Sequence, residues 1–319
     1  MSVDRVRATL QHYVPQLLLR GFASGRRNPL YVFDKRTGQS FRSSVRNAGC
    51  ERGFYDPRSQ SAVNADEWMK QAEAEAGSLV VDIRRQGNLR NLTQSDREWL
   101  AAFVAIQMVH TRRQLTAQDD LARTLASALR ERGMDPSSIP GFDEFDGDKL
   151  RAEFLGGIQS LSLKVFPYLN EKSIVMFASD RANPCWISDH PAVRYNSLNP
   201  GDGVCGTLGV ANTGVEIYLP IGSQSVLGFL CTSIEEYFRK ARKLFPAASA
   251  PAAVEEMLNG ISAGEPIRAE PVNVMFFNSL QVAQSERYLF AEHDNFELAL
   301  QMLRDNPRFK EGPKPQVVA

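Results

Sequence analysis

Val215-Glu216-Ile217-Tyr218-Leu219 and Ser225-Val226-Leu227-Gly228-Phe229-Leu230 are two β-prone runs on either side of Pro220-Ile221-Gly222-Ser223. Aromatic and branched side chains suit a pleated surface, and the Pro-Gly pair suits a turn, so the stretch reads as two paired strands. Working back from it, Asn199 to Gly214 is a loop by its glycine content, and Ala192 to Tyr195, Cys185 to Ile187 and Ser173 to Phe177 read as strands. Working forward, Ile234 to Leu244, Ala252 to Leu258, Val272 to Arg287 and Asp294 to Leu303 have helical spacing.

The first half reads differently. After a hairpin from Leu30-Tyr31-Val32-Phe33 to Ser40 through Val45, apolar residues recur with helical period from Ala65 to Arg85, including Trp68, Met69, Ala72, Val80 and Ile83. A second helix starts at Ser95, which with Glu98 forms a capping-box pattern, and runs with a break towards Arg132; another covers Lys149 to Leu163. Helices early and strands late predict an α+β fold: a helix-rich N-terminal half packed with a mostly antiparallel sheet from the second half. Residues 1–305 form one domain on this reading, with 133–147 as a sub-boundary and 306–319 as a flexible tail.

Composition narrows the class without naming a function. Of 319 residues, 43% are apolar, and Lys plus Arg and Asp plus Glu each total 37. The chain can bury a sizeable core, and its net charge gives no pointer to nucleic acid or a membrane surface. A nucleic-acid partner rests only on the basic N-terminal positions Arg5, Arg7, Arg20, Arg26, Arg27, Lys35, Arg36, Arg42 and Arg46. Cys50, Cys185, Cys205 and Cys231 are too scattered for a zinc knuckle or redox pair, and no apolar run suits a leader or a span, so a cytoplasmic protein is expected.

Four histidines occur, and three sit in patterned stretches: His12-Tyr13-Val14-Pro15, Gln107-Met108-Val109-His110-Thr111 and Ser188-Asp189-His190-Pro191. Pro15 suits the first turn of a helix carrying Leu17, Leu18, Leu19 and Phe22, which puts His12 at its entrance. Gln107 and His110 share a helix face, with Glu73 of the preceding helix as the natural partner if the two pack antiparallel. Asp189 ends a strand in a turn stiffened by Pro191. Each has a plain structural alternative: a capped turn, a helix entry, or a buried network that fixes register.

Together with Leu19-Arg20-x-Phe22, Ala105-Ile106-Gln107 and Ile187-Ser188-Asp189-His190-Pro191, the His-Tyr-Val-Pro opening resembles a bacterial family catalogued as a domain of unknown function, DUF4238. The likeness runs from about Gln11 to about Phe290. It implies positions to watch, not a reaction: His12, Glu73, Gln107, Ser188, Asp189, Asn278, Arg287 and Tyr288. Two departures stand out, His110 where the family has arginine and Arg112 where it has proline.

Two readings follow. In the first the protein is a hydrolase, most concretely a metal-assisted phosphodiesterase or nuclease. Glu73 and Asp189 hold a divalent cation, His12 is general base and Gln107 orients the substrate, with Arg20, His110, Ser188, Asn278 and Arg287 contacting it. In the second it is a non-catalytic accessory or interaction protein whose polar cluster is structural. The glycine-rich Gly206-Thr207-Leu208-Gly209 lacks the Lys-Ser or Lys-Thr of a phosphate loop, and Gly222-Ser223-Gln224-Ser225 lacks the spacing of a nucleophile elbow.

Overall fold

A computed structural model describes residues 10–25, 27, 29–52, 54, 60–139, 147–200, 207–246 and 249–313; side chains at 60–69, 117–119, 121–122 and 147–155 are not described. The expectations for Arg5, Arg7, Arg26 and Cys205, the core role of Trp68 and Met69, the centres of both long loops and the last six residues lie outside these.

The chain is α+β, with mostly antiparallel sheets. The deciding stretch forms β8 (Val215–Gly222) and β9 (Ser225–Leu230), paired antiparallel with a register shift between Pro220 and Gly222. They are central in a five-stranded sheet with β10 (Pro266–Arg268) and β5 (Ser173–Ala178) on one side and β7 (Val193–Asn196) on the other. Only the β10 to β5 pairing is parallel. Strand alternation divides the residues between two cores. Ile174, Met176, Ile217, Leu219, Leu227 and Phe229 pack one way. Val175, Phe177, Tyr218, Val226 and Leu230 pack the other. Helices cover both faces, which is why these strands read as unbroken apolar runs.

On the first face lie α2 (Gln60–Gln86), α3 (Gln94–Val109) and α5 (Gly147–Asn170), through Ala76, Val80, Ile83, Leu100, Phe103, Val104 and Leu169. α5 packs on α3 and α2 across the 133–147 connection, so the chain on both sides of it shares one core. The helix after Arg85 starts two residues earlier than its sequence pattern suggests. Thr93, not Ser95, is the cap, with a capping box to Asp96. The break towards Arg132 falls at His110 and Thr111, and Thr111 caps α4 (Arg112–Glu131). On the second face lie α7 (Ala252–Ala263) and α8 (Pro271–Gln284); α6 (Thr232–Lys243) follows β9.

A smaller sheet joins chain regions that the sequence reading kept apart. Its order is β3 (Gln39–Ser44), β2 (Pro29–Asp34), β11 (Tyr288–Ala291), β6 (Ile187–Ser188), antiparallel throughout. The expected helix from 272 to 287 therefore ends at Gln284, and β11 begins at Tyr288. Leu30, Val32, Ile187 and Phe290 enter the large core. Phe33, Trp186, Leu289 and Ala291 meet α9 (Glu297–Asp305) through Phe296, Ala299 and Leu303. The start of the expected tail is packed: Pro307–Lys310 is a 3-10 turn, Phe309 lies against this last cluster, and Gly312 is buried beside Glu286.

The His-Tyr-Val-Pro opening is a docking element. β1 (Leu10–His12) pairs with β4 (Cys50–Arg52), and the N–H groups of Tyr13 and Val14 both donate to Gly49 O, at 3.0 and 3.1 Å. Gly49 has φ 61, and a Cβ there would stand 2.9 Å from Val14 Cβ, so glycine is required twice over. Pro15 then caps α1 (Gln16–Leu19), whose Leu18 and Leu19 are fully buried.

Candidate functional site

The segment from Gln284 to Tyr288, where α8 gives way to β11, is gripped by side chains from distant parts of the chain. Asp189, at the end of β6, accepts three backbone N–H groups: Glu286 on Oδ1 at 2.8 Å, and Arg287 and Tyr288 on Oδ2 at 2.7 and 2.8 Å. Lys35, fully buried, donates through Nζ to the carbonyls of Val282 and Ser285, each at 2.8 Å. Asp34 holds the Arg287 guanidinium through two contacts of 3.0 and 2.6 Å. Such bidentate pairing fixes orientation as well as charge. Gln284 clasps the backbone of Arg194 by accepting from its N–H at 3.0 Å and donating to its carbonyl at 2.7 Å, while its own carbonyl accepts from Arg113 Nη1 at 3.3 Å.

The Ser-Asp-His-Pro turn is held as firmly. Ser188 Oγ donates to Gln281 Oε1 at 2.7 Å and accepts from His190 N–H at 3.2 Å; Gln281 Nε2 donates to Pro191 O at 3.0 Å. Thr111 Oγ accepts from Gln114 N–H at 3.4 Å and lies 3.0 Å from His190 Nδ1. Tyr13 meets this region through Phe54, at 5.5 Å between ring centroids, and Phe54 stands edge-on to His110 at 6.5 Å.

Burial dominates the electrostatics. It pushes the carboxyl of Asp189 upward, against the N–H bonds and Lys35, which favour its charge. It pushes Lys35 down to about 8, opposed by Asp189 and Glu286. Glu286 is raised by burial and then by the neighbouring charge of Asp189. His110 is pushed down to about 3 by burial alone, and His190 falls well below its usual value through burial and then Arg113 and Arg194. Perturbed groups of both signs in one place are what a functional centre requires, although a structural network also produces them.

The expected site residues separate into groups. Asp189, Ser188, Asn278 and Arg287 belong to this junction, but their polar atoms are engaged within the protein; Asn278 accepts from Trp186 N–H at 2.8 Å and donates to Pro184 O at 3.1 Å. His110 adjoins this junction through the next residue, Thr111, whose Oγ lies 3.0 Å from His190 Nδ1. His12 bonds instead to Arg46 O at 3.1 Å and lies 3.5 Å from Gln16 Nε2, while exposed Arg20 reaches Gln16 Oε1 at 3.4 Å. Glu73 is half-buried on α2, one residue after Ala72, which packs on Ile106. Next to Ile106, Gln107 is wholly buried, and among the described residues neither amide atom has a partner.

The donors do not fit a divalent cation. Asp189 already serves three amides, and among the described residues no three His, Cys, Asp or Glu side chains stand together as ligands. Lys35, Arg113, Arg194, Gln284 and Glu286 escaped the sequence reading as site residues. No local pattern marks a buried cation in a polar run.

Residues 10–295 match a family described as a protein of unknown function, DUF4238, and the chain belongs to it. No curated protein and no solved structure matches the chain. Among the described residues no helix is long and apolar enough to cross a membrane.

Proposed function

We propose that this member of the DUF4238 family is a hydrolase of phosphoester-type substrates, working where the Ser-Asp-His-Pro turn meets the Gln284 to Tyr288 segment. One observation carries the reading. Lys35, Arg113, Asp189 and Glu286 influence one another electrostatically in a largely buried region, yet no two of them lie within 4.0 Å as an ion pair. Asp189 is satisfied by three backbone N–H groups and Glu286 by Arg36 at 3.5 Å, so the support is the clustering of charged groups of both signs in a largely buried region, which costs desolvation. Glu286, with its carboxyl raised, is the group suited to accept a proton from attacking water, and the surrounding cations suit an anionic substrate. The phosphodiesterase or nuclease form of this reading needs no cation bridging Glu73 and Asp189.

The test is turnover of bis(p-nitrophenyl) phosphate and p-nitrophenyl phosphate by the wild type and by Glu286→Gln. Loss of about 10²- to 10⁴-fold in kcat with an unchanged melting temperature is expected. Equal rates in both proteins would sink the assignment. The accessory reading is favoured by a different fact, the complete engagement of Ser188, Asp189, Asn278 and Gln281 by protein partners. Absence of turnover of either ester would support it.

A further inference from the structure

We infer that Glu216, with the rings of Tyr195, Tyr218 and Phe276, forms a binding site for a protonated alkylamine, a site that does not depend on the phosphoester reading. Glu216 stands in β8 between Val215 and Ile217, which enter the large core, so its side chain points to the other face of the sheet, where Tyr218 lies. That face is otherwise apolar, built from Phe177, Val193, Val226, Leu230 and Phe277. Glu216 is only 6% exposed. Tyr218 O–H donates to its Oε2, whereas Oε1 is shut off from solvent and among the described residues has no partner. Among them no Lys, Arg or His pairs with it within 4.0 Å, and Lys172 Nζ donates instead to Val215 O at 2.8 Å.

Three rings surround this carboxylate. The strand register sets Tyr195 directly across from Glu216, and Tyr218 follows two residues on along the same strand and face. Phe276 of α8 stands edge-on to both, with centroids 4.9 Å from Tyr195 and 5.9 Å from Tyr218 at 80° and 88°. Tyr195 and Phe276 are half-buried, and β7 is an edge strand, so the approach lies on their side. Aromatic rings attract cations, and a buried carboxylate oxygen without a partner calls for a positive charge and an N–H. A primary ammonium supplies both, and its alkyl stem suits the rings. A divalent metal demands more oxygens than one carboxylate offers, and a water molecule brings no charge.

Calorimetric titration of the full chain in amine-free buffer with n-butylammonium, tetramethylammonium and Nα-acetyl-lysine methylamide tests the site. Saturable one-to-one binding of n-butylammonium is expected, weakened about tenfold or more by Glu216→Gln. Glu236→Gln, which removes a charge from an exposed pair with Lys240, should leave it unaffected. Tyr195→Leu keeps the carboxylate, removes one ring and should weaken binding about threefold to thirtyfold; it decides the matter if Glu216→Gln fails to fold. Tetramethylammonium, which has the charge and no N–H, should bind about tenfold more weakly or worse. Tighter binding of the lysine derivative would identify a lysine side chain as the occupant, and tighter binding of n-butylammonium a free amine; both outcomes support the site. No binding of either amine by the wild type, unchanged affinity in the Glu216 and Tyr195 variants, or equal binding of tetramethylammonium overturns the inference.

Discussion

Asp189 and the Arg113 with Arg194 pair are held by the same five-residue segment and differ in one respect. Asp189 has a partner for each charged oxygen, while among the described residues Arg194 Nε has none. Gln107 resembles Arg194 in this, with a wholly buried amide and, among the described residues, no partner for either atom. A buried polar group that is fully engaged stabilises one arrangement of chain; one that is not lowers stability and persists only where something else compensates. The contrast separates the residues that hold the junction together from buried groups that the fold leaves unsatisfied.

The sharpest way to break the comparison is Asp189→Ala. Three backbone amides and Lys35 would lose their acceptor or counter-charge, so a loss on the order of 3–5 kcal/mol is expected in urea unfolding. A loss below about 1 kcal/mol would show that the engaged carboxylate does not hold the junction.

Acid should act next. His110 is held down to about 3 by burial, and His190 is lowered as well, whereas both titrate near their ordinary value when unfolded. Between those values the unfolded chain binds more protons, so stability is full above about pH 6.5 and falls as pH drops towards the folded values, by about 1.4 kcal/mol per pH unit for each histidine. Unfolding curves at three pH values should show this slope, and His110→Leu should remove one histidine's share of it.

The smallest effect has the opposite sign. Gln107→Leu removes an amide that has no partner among the described residues and should stabilise the protein by about 1 kcal/mol in urea unfolding. Destabilisation of similar size would place Gln107 with the engaged residues instead.

The sequence exposed the main sheet because β8 and β9 are rich in branched and aromatic residues and are buried on both faces. It hid β11, since Val272 to Arg287 keeps a helical pattern. The helix stops where Lys35 takes the Ser285 carbonyl and Asp189 takes the next three amides, all tertiary partners. The capping box was misplaced because Thr93-x-x-Asp96 and Ser95-x-x-Glu98 overlap, and only geometry separates them. At the site, Asp189 was legible from its strand-ending turn. Arg113 and Arg194 were not, because an arginine beside other arginines in a helix start, or within a short strand, looks solvated until the fold closes over it.

The position of β11 between β2 and β6 has a consequence for how the chain is made. The hairpin of β2 and β3 and the short β6 are synthesised long before their central neighbour, and until residue 291 is in place each presents an unpaired edge. The growing chain must keep a slot open for one of its last strands. A chain cut before Tyr288 would retain both sheet edges and leave Asp189 without its Tyr288 amide, and would seek another strand to fill the gap.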